Sequence, residues 1–161
     1  MRKRIKPKKG QESVWGYPRP PRLEPTKKHL KVIWQAKVLA ETHHGYRVLE
    51  TSHPPVYYFP QTDIRMSALE AVVNKHSFCE WKGKAAYWQS KKGGEVVAWS
   101  YPSPKASFKR IQDYLAFYPS LMDSCYVDGE LVTSQEGDFY GGWITKDIVG
   151  PFKGGRGTWG W

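Results

Sequence analysis

The stretch that decides the fold is Phe78-Cys79-Glu80-Trp81-Lys82-Gly83-Lys84-Ala85-Ala86-Tyr87-Trp88, followed after nine residues by Ala98-Trp99-Ser100-Tyr101-Pro102. It reads as strand, with Gly83 marking a bulge or a tight turn, because a glycine inside a strand pattern commonly does one or the other. Lys92-Gly93-Gly94 supplies a turn, and Val96 to Tyr101 returns as the partner strand. Alternation then puts Val97, Trp99 and Tyr101 on one face. The same run brings a thiol, a carboxylate, ammonium groups and several large rings into close sequence, more chemistry than a core alone requires.

Working outward, residues 30–34 and 37–40 read as a hairpin joined at Gln35-Ala36, and Tyr46 to Thr51 continues the sheet. Tyr46, Val48 and Glu50 share one face of that strand, so Glu50 sits with Val48 on a face that can turn inward. His53-Pro54-Pro55 interrupts pairing, and Val56-Tyr57-Tyr58-Phe59 resumes an extended run. Residues 63–73 fit neither period and read as irregular, with a short strand or turn. One α-helix is expected from Ser103-Pro104, with Phe108, Ile111, Leu115 and Tyr118 at helical spacing and Pro119 as its stop. Cys125 to Val132 is a further hairpin, with Asp128-Gly129 supplying the positive φ angles of a two-residue turn. The expected class is mainly β, antiparallel, with one capping helix.

The flanks divide the chain. Residues 1–13 form a basic tail expected to be disordered, and 14–29 a proline-rich strap pinned by Trp15, Tyr17 and Leu23. Residues 30–136 are the β domain, and 137–161 a second strap, whose eight glycines and six aromatics carry no period. Of the formal charge of +10, Arg2, Lys3, Arg4, Lys6, Lys8 and Lys9 contribute six, leaving only +4 over residues 10–161. The basicity therefore belongs mostly to the tail, where like charges stay solvated or form a non-specific arm for nucleic acid or an anionic surface. Cys79 and Cys125 are too few for a disulfide framework, and no charged-then-apolar leader reads as a secretion signal, so the cytoplasm is the expected compartment. No apolar run approaches the roughly 20 residues that span a bilayer, so no membrane partner is expected.

Several motifs fall away on inspection. Gly155-Arg156-Gly157-Thr158-Trp159-Gly160 matches a dinucleotide fingerprint by letter, but a single residue follows it and no helix can open there. His76 and Cys79, three apart in a strand, point to opposite faces, and Cys125 has no nearby cysteine, so neither a metal nor another cofactor is expected. Within the opening run, Phe78, Glu80 and Lys82 would share one strand face and Cys79 and Trp81 the other, unless Gly83 rotates the strand end. The plain reading is a surface Glu80–Lys82 pair above a core of Cys79 and Trp81. The sharper one places Lys82 in a ring-lined cavity, where aromatic faces attract its ammonium. A reactive Cys79 is a third option, since a neighbouring cation favours thiolate.

Leu49-Glu50, Tyr57-Tyr58-Phe59-Pro60 with Asp63, Cys79 to Trp88, Ala98 to Pro102, Ala116-Phe117-Tyr118 and Val127-Asp128-Gly129 together resemble the domain of unknown function 427 family, in the same order from about residue 30 to 132. The Trp15-to-Pro25 strap and the Gly/Trp-rich end resemble a longer subgroup. The resemblance implies a small β-tent-like barrel, similar to the ligand domain of cereblon and the methionine-R-sulfoxide reductases. Those proteins usually hold zinc through two Cys-x-x-Cys knuckles, which this sequence lacks. Many relatives carry proline where this chain has Glu80, which argues against Glu80 as an essential acid or base. Glu50, Lys82, Tyr87, Trp99 and Tyr101 match the family pattern. The function expected is binding of a small polar or cationic ligand by Glu50, Tyr58, Lys82, Tyr87, Trp99 and Tyr101. The alternatives are an enzyme using Lys82 as acid–base group or Cys79 as nucleophile, with Glu50 a further catalytic candidate, or binding of nucleic acid or an anionic surface through the basic tail.

Overall fold

Apolar alternation becomes strand along much of the chain. The computed structural model describes residues 2–137 and 139–161. The first part supplies β1 (Glu12–Ser13), β2 (Arg22–Thr26), β3 (Leu30–Trp34), β4 (Lys37–Thr42), β5 (Gly45–Leu49) and β6 (Val56–Tyr58). The middle supplies β7 (Leu69–Cys79), β8 (Gly83–Ser90), β9 (Val96–Ser100) and β10 (Leu115–Phe117). The last part supplies β11 (Ser124–Val127), β12 (Glu130–Leu131), β13 (Thr133–Ser134), β14 (Trp143–Ile144) and β15 (Ile148–Val149).

Three ladders carry the architecture, in the orders β2-β5-β6, β10-β9-β8-β7 and β12-β11-β3-β4, all antiparallel. The first two are joined where Phe59 N–H donates to Leu115 O at 2.8 Å and Leu115 N–H donates back to Phe59 O at 3.0 Å. The continuous surface so made has two faces because successive side chains alternate. One face carries Tyr57, Phe59, Ala98, Leu115 and Phe117, which pack against Leu30, Val32, Leu39, Cys125 and Val127 of the third ladder to form the main core. The opposite face carries Val48, Tyr58, Ala85, Trp99, Tyr101 and Ala116 in a second cluster. The ladders stay open, with β2 and β7 at the outer edges of the joined surface, so the expected closed barrel is not formed among the described residues. No helix there is long and apolar enough to cross a membrane.

The single α-helix expected over 103–118 is replaced. Ala106–Ile111 winds as 3₁₀ turns broken at Phe108, Asp113 takes a positive φ of 62°, and the chain re-extends as β10. The spacing of Phe108 and Ile111, both buried, suits a three-residue turn as well as an α-helix. Leu115 to Phe117 instead satisfy their backbone groups against Ser100 to Ala98, a tertiary pairing that overrides the local period. Residues 63–73 also resolve: two short 3₁₀ turns, Gln61–Asp63 and Met66–Ala68, precede β7, which begins at Leu69. Glu80 to Lys82 form the hairpin turn between Cys79 and Gly83, so the face assignment read across them does not apply. Val97 is the extra residue of a bulge opposite Trp88 and Gln89 and joins the main core, whereas Trp99 and Tyr101 lie on the other face.

The hairpin turns obey their chemistry. Asp128 and Gly129 have φ of 47° and 80°, and Gln35 and Ala36 have 53° and 62°. Only the second turn places two ordinary residues in the left-handed region, a costly choice for an alanine. Ala36→Gly is therefore expected to raise stability by up to about 1 kcal/mol, less the extra freedom glycine has when unfolded. The shift in the urea midpoint measures this, and a lowered midpoint would contradict it.

Candidate functional site: an aromatic-walled cleft

The second face of the joined sheets opens into a cleft of about 380 Å³. The structure brings Glu50, Tyr58, Lys82, Tyr87, Trp99 and Tyr101, together with Cys79, to its lining. They arrive from separate stretches: the end of β5, β6, the β7–β8 turn, β8 and β9. Trp99 and Tyr58 are 9% and 1% exposed, and the Trp99 indole N–H donates to the Tyr58 hydroxyl at 3.2 Å. The Tyr118 ring lies 4.6 Å from that of Trp99, and Tyr101 lies 6.4 Å from Tyr58. Burial holds the Tyr58 and Tyr101 phenols far above their ordinary titration range and pushes Tyr118 up to about 12. All three are therefore neutral phenols near pH 7, able to donate hydrogen bonds.

Lys82 sits on the turn between β7 and β8. That turn is clipped down by Lys105 N–H donating to Lys82 O at 2.9 Å, and by the Lys105 ammonium donating to Glu80 O. Gly83, at φ 111°, allows the chain to pass against Ser103 and Pro104. The Lys82 ammonium stands 5.9 Å from the ring centres of both Tyr101 and Phe108, at the outer limit of cation–π contact. Tyr87 shares a hydrogen bond with Ser77 across the β7–β8 pair, and the Lys75 ammonium lies 5.0 Å from its ring centre. Cys79 ends β7 half-buried at the cleft wall. Cys125 belongs to the main core, where burial pushes its thiol up to about 12.

The sequence reading missed His53, Gln135, Tyr140, Gly141 and Lys153, all of which line the cleft. His53 was legible only as a break before two prolines. It closes a turn with Glu50, His53 N–H donating to Glu50 O at 3.0 Å while Ser52 takes a φ of 72°. Both flanking segments pin this turn. Thr51 N–H donates to Pro18 O at 3.3 Å, Ser52 N–H to Val14 O at 3.0 Å, and Lys153 N–H to Ser52 O at 2.9 Å. Gly141 completes the wall, since a Cβ there would lie 2.3 Å from the Trp99 ring. Its backbone can approach the indole only because it is glycine.

Charges of both signs meet in the cleft. The Glu50 carboxylate lies 3.6 Å from Arg19 and 3.7 Å from His53 Nε2, both beyond hydrogen-bond reach. Burial, followed by the positive charges of Lys153, Arg19 and Lys82, lowers His53 to about 4. At neutral pH the Glu50–His53 contact is therefore between a carboxylate and a neutral imidazole. Among the described residues, no group of three or more His, Cys, Asp or Glu side chains is placed to hold a metal ion.

The lowered His53 value carries a stability consequence. The unfolded chain takes up a proton near pH 6.5 and the folded chain only near 4, so stability is complete above about 6.5 and falls as the pH drops towards 4. His53→Gln is expected to remove a contribution of about 3 kcal/mol to the loss between pH 7 and 4. Denaturant unfolding of both proteins at the two pH values measures the difference. Equal losses in wild type and variant would contradict the neutral, buried imidazole.

The family model described as Domain of unknown function (DUF427) matches residues 22–128, about two thirds of the chain. No curated protein matches it. The match includes Glu50, His53, Tyr58, Lys82, Tyr87, Trp99 and Tyr101, whereas Gln135, Tyr140, Gly141 and Lys153 come from the segment beyond it. The chain belongs to the DUF427 family.

Proposed function

We propose that the cleft binds a small polar or cationic molecule, with the family region supplying the aromatic floor and the C-terminal segment one wall. The observation that carries this reading is convergence. Residues distant in sequence and different in chemistry meet at one concavity of about 380 Å³, within the size range of small-molecule sites. A cavity of that kind, rich in rings and carrying fixed polar groups, gains affinity from the walls and orientation from the polar atoms. Trp99 supplies part of an apolar wall, Glu50 attracts a cation or accepts hydrogen bonds, and Lys82 and the Tyr101 phenol address acceptor groups of the ligand.

Two features of the cleft favour recognition through hydrogen bonds and rings over capture by net charge. Glu50 and Glu80 stand with Lys82 and Lys153 in the lining, so charges of both signs are offered to a ligand. The wall rings are also held rigidly by packing and by the Trp99–Tyr58 hydrogen bond, which lowers the entropy lost on binding.

The test uses benzamidine, a planar cation, and benzamide, its neutral polar counterpart. Each is titrated into the full chain while the Trp99 indole N–H resonance is followed by NMR. Saturable shifts are expected for both. Glu50→Gln is expected to weaken benzamidine five- to tenfold, about 1 kcal/mol, because it removes one charge-assisted contact. Absence of any saturable shift, or affinities indifferent to both Glu50→Gln and Trp99→Leu, would overturn the proposal.

A further inference from the structure

Gln135 is 3% exposed and lies beyond the family match, yet it touches the cleft's central turn. Its carboxamide orientation is fixed by two backbone groups whose roles admit no choice. Gly142 N–H donates to Gln135 Oε1 at 3.2 Å, and Gln135 Nε2 donates to Lys153 O at 2.7 Å. The second hydrogen on Nε2 is left facing His53 Nδ1, 3.2 Å away. An N–H donor opposite Nδ1 requires that nitrogen to be the bare acceptor, and a protonated imidazole would set two donors against each other. Burial and the surrounding cations, which hold His53 neutral, agree with this. The imidazole proton therefore resides on Nε2.

Among the described residues Nε2–H is then an unfilled donor, 3.7 Å from Glu50 Oε2, and the Glu50 carboxylate accepts no hydrogen bond within reach. The cleft thus presents a donor and an acceptor side by side, beside an aromatic wall. We infer that Gln135 sets this polarity by holding His53 as its Nε2–H tautomer, and that the Glu50–His53 pair recognises the adjacent N–H and C=O groups of a carboxamide. The inference rests on the reading of the cleft as a binding site and names the chemical class of its ligand. A carboxamide satisfies both unfilled groups at once, offering its N–H to Glu50 and its oxygen to His53. An ester or carboxylate of the same shape leaves Glu50 facing an acceptor, a like-charged or unpaired arrangement that a half-buried site penalises. Gln135 is here a positioning residue, acting on the ligand through His53.

Two measurements on the full chain test this. Long-range proton–nitrogen correlation spectra of the ¹⁵N-labelled protein at pH 7 report the His53 tautomer directly. The Nε2–H form is expected in wild type, and Gln135→Glu is expected to convert it to the Nδ1–H form or the imidazolium. A wild-type His53 in either of those other states overturns the inference, whether or not any variant folds. Benzamide and methyl benzoate, which lacks the N–H, are then compared through the Trp99 indole resonance. At least a tenfold preference for benzamide is expected in wild type, falling below threefold in Gln135→Leu. Equal binding of the two probes overturns the carboxamide assignment while leaving the cleft as a binding site. No response to benzamidine, benzamide or methyl benzoate removes the binding reading itself, and the ligand class with it.

Discussion

Two hydrogen bonds between Phe59 and Leu115 make one surface out of two ladders, and the rest of the molecule is arranged by that joint. Without it the β2-β5-β6 ladder and the β10-β9-β8-β7 ladder would each present a free edge. With it they share two continuous faces. The inner face can bury Tyr57, Phe59, Leu115 and Phe117 against the third ladder, removing their rings and side chains from water in one core. Alternation then forces Tyr58, Trp99, Tyr101 and Ala116 to the far face. The cleft is the geometric complement of the core, and the residues available to it are those that strand pairing turned away from the interior.

A surface of rings alone would be an exposed apolar patch. The flanking segments convert it into a cleft, since both meet at the Glu50–His53 turn: the N-terminal strap through Val14 and Pro18, the C-terminal segment through Lys153. The latter also lays Gly141 against Trp99 and inserts Gln135 behind His53. The cost of burying His53 among cations is offset by keeping it neutral and giving its Nδ1 a donor. The family region thus supplies most of the chemistry, and the region beyond it fixes that chemistry's orientation.

Much of this was legible in the residues, for identifiable reasons. Period-two alternation located most strands, and Asp128-Gly129 marked a turn whose φ angles only a few residues tolerate. The family pattern singled out Glu50, Lys82, Tyr87, Trp99 and Tyr101, which share one cleft with Tyr58. What stayed hidden depended on contacts between distant segments. Phe108, Ile111 and Leu115 keep a spacing that fits a helix, and only pairing with β9 decides for 3₁₀ turn and strand. His53 and Gln135 are ordinary in their local sequence and acquire meaning from a hydrogen bond across 82 residues. The one local hint was Glu50 and His53 placed three apart around a turn before Pro54-Pro55.

The central claim is that this cleft is a small-molecule site whose Glu50–His53 pair reads a carboxamide. A crystal structure of the full chain soaked with benzamide addresses it most directly. The account predicts the ring against the Trp99 wall, with the amide nitrogen on Glu50 and its oxygen on His53 Nε2. A cleft that stays free of benzamide at saturating concentration, or benzamide bound with its amide turned away from that pair, would contradict it.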